Sequence, residues 1–132
     1  MTIKQNGGIF GRNPSFKDVE VGRFYFDATK NGPEITIASG AVTVDTSYVR
    51  LDTENNDATD DLDTINGGKI GQLLILRIRN SARAVVVKDQ TGNLDIAGDF
   101  NMNHSRDCLV LLCIDDGGSN DFIEIARSNN NG

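Results

Sequence analysis

From Glu34 onward, short apolar runs alternate with turn residues. "EITIASG" places Ile35 and Ile37 on one face and turns at Ser39-Gly40. "AVTVD" does the same with Val42 and Val44, and "YVRLDTE" with Val49 and Leu51, leaving Arg50 outward. This is the two-residue period of half-buried strands. A polar stretch follows, "DTENNDATDDLDTINGG", which reads as a long loop with one possible helical turn between Asp60 and Ile65. "QLLILRIR" then carries Leu74, Leu76 and Ile78 on one face. Leu73 and Ile75 share the other with Arg77 and Arg79, so this strand is expected to be buried on both sides at first and then to emerge.

"RAVVVKD" pairs Val85 with Val87, and the short Ser81-Ala82 link before it fits a hairpin. "DQTGNLDIAGDF" reads as turn, short strand (Leu94, Ile96), turn. "DCLVLLCID" is apolar on both faces, as a central strand would be. Gly117-Gly118 marks a hairpin turn, and "FIEIARS" closes the body with Ile123 and Ile125 inward or at an interface. No window longer than about ten residues shows a helical period. The pattern predicts an all-β fold, a β-sandwich or small jelly-roll-like barrel, in one domain. Residues 1–33 form an N-terminal arm with a first strand, and residues 34–132 form the body.

Charge refines this picture. The chain of 132 residues carries a net charge of −6. Lys4, Arg12, Lys17, Arg23 and Lys30 against Asp18, Glu20 and Asp27 leave residues 1–33 at +2 and the remainder at −8. An acidic body argues against nucleic acid or an anionic membrane as partner. A mildly basic arm suits an acidic neighbour. The first residues lack the apolar core of a signal peptide, and no run approaches the roughly 20 apolar residues of a membrane helix. The chain is expected to work where it is made or assembled. In an extended strand Cys108 and Cys113 would be about 16 Å apart and cannot bridge. Both read as small buried hydrophobes in a reducing compartment.

The arm holds the densest unexplained chemistry, "GGIFGRNPSF". Ile9, Phe10 and Phe16 are too greasy for a free tail, since each aromatic would expose about 150–200 Å². Gly7, Gly8 and Gly11 let the backbone lie close to another surface. Arg12 offers a planar fork for a carboxylate, and Pro14 stiffens the exit. Two arrangements fit: the arm folds back on its own body, or Ile9, Phe10, Arg12, Pro14 and Phe16 dock on another molecule.

Elsewhere the chemistry is sparse. The acidic loop holds Asp52, Glu54, Asp57, Asp60, Asp61 and Asp63. Its spacing does not match a calcium loop, because Asp57 stands where glycine is needed and Asp63 where a bidentate Glu is needed. Carboxylates capping backbone amides near Thr59 explain it better. His104 lies in a polar loop with no nucleophile partner in view, and "GGIFGR" lacks a phosphate-loop Lys. No catalytic residue, metal or cofactor is expected. Arg77 and Arg79 form either a charged edge that blocks sheet pairing or a subunit interface that pairs with Asp60 and Asp61 of a neighbour.

The segment "GGIFGRNPSFKDVEV" resembles an opening segment of tailed-bacteriophage virion proteins, especially tail fibres and tailspikes. "DATDDLDTINGGKIGQLLILRI", "AVVVKDQTGNLDIAGDF" and "DCLVLLCIDDGGSNDFIEIARSNNN" resemble a β-rich module at the ends of phage fibres, spikes and capsid-associated proteins. Phe122 stands where that module usually has Trp. The resemblance implies a virion structural protein, often trimeric, assembled in the host cytoplasm. The chain is very short for a complete fibre and its arm would reach across a subunit boundary, which favours a head decoration (cement) protein bound to the major capsid protein or another virion protein. A short tail-fibre or adaptor protein comes second, and a carbohydrate-binding module third.

Overall fold

A computed structural model describes residues 15–26 and 32–130. Within them the chain is all-β, with eleven strands and a single 3-10 turn at Glu54–Asn56. The strands are β1 (Glu34–Thr36), β2 (Ala41–Thr43), β3 (Tyr48–Asp52), β4 (Thr59–Leu62), β5 (Thr64–Asn66), β6 (Leu73–Ile78), β7 (Ala84–Val87), β8 (Leu94–Asp95), β9 (Phe100–Met102), β10 (Cys108–Asp116) and β11 (Ser119–Ser128).

They form three sheets, ordered β1-β3-β6-β10-β11-β8, β2-β5 and β4-β7-β9. The pairings decide the architecture. β1, β3 and β6 are successively parallel, β2 is parallel to β5, and β4 is parallel to β7. Partners in three of these ladders, such as Val42 and Ile65, Arg50 and Arg77, and Asp61 and Val86, are about 25 residues apart, the spacing of a coil-on-coil repeat. The arrangement is solenoid-like, not the sandwich or barrel the strand pattern predicts. Alternation reports which face a residue occupies. It does not distinguish a strand that returns antiparallel in a hairpin from one that comes round again in the same direction.

The corners stack as the strands do. Gly40 O accepts from both Asp63 N (2.8 Å) and Thr64 N (3.2 Å). Gly92, with φ +58°, passes so close beneath that a Cβ there would lie 2.2 Å from Asp63 O. Asn93 ties the same corner: its Oδ1 accepts from Ile65 N (2.9 Å), and its Nδ2 donates to Ile65 O and Asn120 O (both 2.8 Å). β10 then reverses direction against β6, and a hairpin through Gly117-Gly118 lays β11 beside it. β9 likewise runs antiparallel to β7. The last coil is thus closed by antiparallel strands.

One core fills the space between the sheets. Val49, Leu51, Leu74, Leu76, Ile78, Leu109, Leu111, Cys113 and Phe122 face it from the large sheet, Val42 and Ile65 from the second, and Leu62, Val85, Val87, Phe100 and Met102 from the third. The inward positions of the sequence pattern are therefore found buried. Four other expectations are corrected. The polar stretch from Asp52 holds two strands, β4 and β5, anchored by Leu62 and Ile65; its helical turn lies at Glu54–Asn56, not between Asp60 and Ile65. β6 and β7 do not form a hairpin, because the chain turns a corner at Asn80–Arg83 into a different sheet. Leu73 is 47% exposed, so β6 is not covered on both sides at its start. Ile125, expected inward or at an interface, is 53% exposed on the outer side with Ile123, and a bulge opposite Val110/Leu111 leaves it without a cross-strand partner.

Candidate functional site

Residues 15–26 precede the first strand of the body and take no regular structure. They nonetheless expose Phe16, Val19, Val21, Phe24 and Tyr25, the last two at 74% and 78%. Phe24 and Phe26 meet edge to face, with ring centroids 5.2 Å apart. Tyr25 and Phe26 line a cleft of about 420 Å³ with Tyr48, Ile75 and Arg77. The segment therefore borders the outer face of the large sheet. Of the arm residues singled out in the sequence, Phe16 falls on this exposed segment; Ile9, Phe10, Arg12 and Pro14 lie outside the described residues. Val19, Val21, Phe24 and Tyr25 were not singled out. "VEVGRFYF" carried the signal, a short alternation followed within two residues by an aromatic run.

The outer face continues this apolar surface. Strand register aligns Tyr48, Ile75, Val110 and Ala126 in one row, and Leu73, Leu112 and Ile123 in the next. Leu73 is exposed and Ile75, Val110, Leu112, Ile114 and Ile123 are half-buried. β10 does lie inside the sheet, between β6 and β11, but among the described residues only its inner face is covered.

Charge sits at the ends of this face. At one end Arg50 is the register partner of Arg77. Arg77 Nη1 donates to Tyr48 Oη (2.8 Å), and its Nε donates to Ser105 O (3.1 Å). Arg79 Nε pairs with Glu34 Oε2 (2.7 Å), and its Nη1 donates to Asp52 Oδ2 (3.2 Å). Asp52 is almost fully buried. Its Oδ1 accepts from Thr53 N (3.0 Å) and lies 2.8 Å from Arg83 Nε, an ionic contact without hydrogen-bond alignment. Arg79 thus reaches the first carboxylate of the acidic stretch within its own chain. Asp60 holds backbone instead, accepting from Glu54 N (2.8 Å) and Asp61 N (2.9 Å), and Asp61 stands exposed on β4.

The remaining reactive groups serve the loops. Asp107, fully buried, accepts from Asn103 N and His104 N (both 3.0 Å) and from Asn130 N (2.6 Å). His104 Nδ1 accepts from Arg106 N (3.2 Å). Both cysteines are free, and burial raises both thiol pKa values, with Arg77 opposing that shift at Cys108. Among the described residues no three His, Cys, Asp or Glu side chains converge as a metal site, and no helix is long and apolar enough to cross a membrane. What this arrangement offers is adhesion: apolar area bordered by fixed charge, on an exposed segment and an open sheet face. No family model matches the chain, and neither does any curated protein or solved structure.

Proposed function

We propose that this protein is a structural component of a tailed-bacteriophage virion, a head decoration (cement) protein that clamps adjacent capsid subunits. The observation that carries the reading is the exposed apolar stretch Phe16–Tyr25 on the flank of a well-packed body. Left in water, such a stretch is a liability; buried across a seam, each square ångström contributes about 25 cal/mol before ordering costs. The resemblance of "GGIFGRNPSFKDVEV" to virion proteins supplies the kind of partner. The arm holds, and the coil-built body stays folded while it does so.

The test is rescue. Shells assembled without this protein should regain resistance to heat when the purified full chain is added. A chain lacking residues 1–24 should keep its β circular dichroism and fail to rescue. Failure of the intact chain would remove the cement reading.

A second reading, a short tail-fibre or adaptor protein, is favoured by the parallel ladders, because coils stacked along one axis suit a shaft. Gold-labelled protein would coat the head in many copies under the first reading and sit at the tail in few under the second.

A further inference from the structure

We propose that the cleft between Tyr25, Phe26 and Tyr48 seats an acidic side chain of a partner protein, with Arg77 as its anchor. The inference rests on the reading that this flank adheres to another protein, and not on which protein that is.

The cleft of about 420 Å³ is walled by Tyr25, Phe26, Tyr48 and Ile75, and Arg77 is the charged residue among them. Its volume falls in the roughly 300–1,000 Å³ range of ligand clefts. Arg77 Nε and Nη2 donate to Ser105 O, and Nη1 donates to Tyr48 Oη. These contacts fix the guanidinium plane without neutralising it, because each acceptor is uncharged. They use three of the five N–H groups and leave two. Tyr48 Oη accepts from Arg77, so its own O–H is left to donate.

The nearby carboxylates are engaged elsewhere. Glu34 is the register partner of Arg50, yet its carboxylate pairs with Arg79, and Asp52 pairs with Arg79 and Arg83. Asp107, just before β10, accepts from three backbone amides. Among the described residues neither Arg50 nor Arg77 has an ion pair. Register nonetheless sets the two side by side on β3 and β6. Like charges directly opposite destabilise a sheet, and a partly buried cation without a counter-ion adds to that cost. A carboxylate entering the cleft offsets both and takes charge-assisted hydrogen bonds from Arg77 and Tyr48.

The rest of the lining says what carries that carboxylate. Three aromatic rings and an isoleucine suit an apolar group beside the acid and offer nothing to a bare anion. Phe24 packs on Phe26, a wall of the cleft, and Phe24 and Tyr25 are 74% and 78% exposed. A small acid would leave those two rings in water, whereas a protein segment seated in the cleft covers them as well. The occupant is therefore an Asp or Glu next to an apolar residue on the protein that the arm grips.

The experiment is a titration of the isotope-labelled full chain with acetyl-Glu-Phe-amide, followed by amide NMR shifts. Millimolar binding is expected, with shifts centred on Tyr25, Phe26, Tyr48, Ile75 and Arg77. Acetyl-Gln-Phe-amide should bind at least about fivefold more weakly, and the difference should shrink as salt rises. Arg77→Gln should erase the preference for Glu. Arg77 also holds the Ser105 loop, so Arg50→Gln gives a second measure: it leaves those bonds in place and should lower the preference about twofold. No shifts at about 20 mM peptide, equal binding of the two peptides, acetate binding as tightly as the dipeptide, or shifts centred elsewhere would overturn the proposal. Asp27→Asn should leave the affinity unchanged; a gain of about tenfold would show the chain's own carboxylate in the seat and overturn it too. Shells rescued equally by the parent and by Arg77→Gln would strike this inference alone. A Glu preference without rescue by the parent would strike the cement reading alone.

Discussion

The two faces of β10 are nearly equal in hydrophobicity and opposite in fate. Leu109, Leu111 and Cys113 point inward and are at most 1% exposed. Val110, Leu112 and Ile114 point outward and are only half-buried. The inner row meets Phe122, Leu74, Leu76 and the side chains of two further sheets. The outer row meets its own neighbours in the sheet, with Tyr25 and Phe26 at the margin near Ile75. A strand apolar on both sides usually has both sides covered by its own chain. Here, among the described residues, one side is covered by the fold, and the other leaves a surface of the same chemistry half-exposed.

The largest test of that contrast is a pair of truncations. Leu111→Ala should cost about 3 kcal/mol of unfolding free energy, the usual range for a buried leucine whose cavity cannot collapse. Leu112→Ala, one residue away, should cost less than about 1.5 kcal/mol in the monomer, since fewer contacts are lost. Urea denaturation at low protein concentration measures both. Equal losses would mean that the outer face is packed as tightly as the core.

The cysteines sharpen the contrast by a second measure. Cys108 lies on the outer face and Cys113 on the inner, and burial raises both thiol pKa values, so both are slow nucleophiles at neutral pH. Cys113 must also wait for the core to open. Alkylation followed by mass spectrometry should show Cys108 modified about a hundredfold faster than Cys113 under native conditions, and the difference should vanish in urea.

The smallest effect is expected at the edge between core and solvent. The hydrogen bonds from Arg127 hold the Glu124 carboxyl below its ordinary pKa, with Ala97 N adding a further donor, against desolvation that pushes it up. A carboxylate depressed in the folded state stabilises above its unfolded pKa, about 4.3, and that stabilisation is lost as pH falls through the lower, folded value. Glu124→Gln should therefore be less stable than the parent at pH 6, with the gap narrowing as pH drops below about 4. Thermal melts across that range read it directly. Arg127 also stacks over Phe100 at 4.7 Å, so some of its anchoring survives the substitution.

Much of the inward-facing set was legible in the sequence, because alternation is a local signal. Val42 and Val44, Val49 and Leu51, Leu74, Leu76 and Ile78, Val85 and Val87, and Leu94 and Ile96 all read as inward and are buried. The strands β4 and β5 were not legible. "TDDL" and "TIN" offer one buried apolar residue each, and what holds them in line is the ladder to β7 and to β2 from distant sequence. Parallel winding leaves no local mark, and the coils differ in the loops between their strands, so no repeat stands out. The bulge at Ile125 is a two-strand event, invisible in either strand alone. For the candidate surface, composition pointed to the N-terminal region, and Phe16 lies on the exposed segment. The arginine cluster became visible only once register had set Arg50 beside Arg77.

The stacked corner has a consequence for how this trunk can change length. Gly40 O takes the amides of Asp63 and Thr64, and Gly92 lies so close to Asp63 O that no side chain fits there. Inserting a few residues between these corners would slide a bulky residue into the seat of Gly92. Inserting a complete circuit would bring each corner back to the same line and leave that seat to its glycine. Growth by duplication is therefore quantised in whole circuits. The reversal at β10 acts as the terminal stop, upstream of which any new circuit must enter.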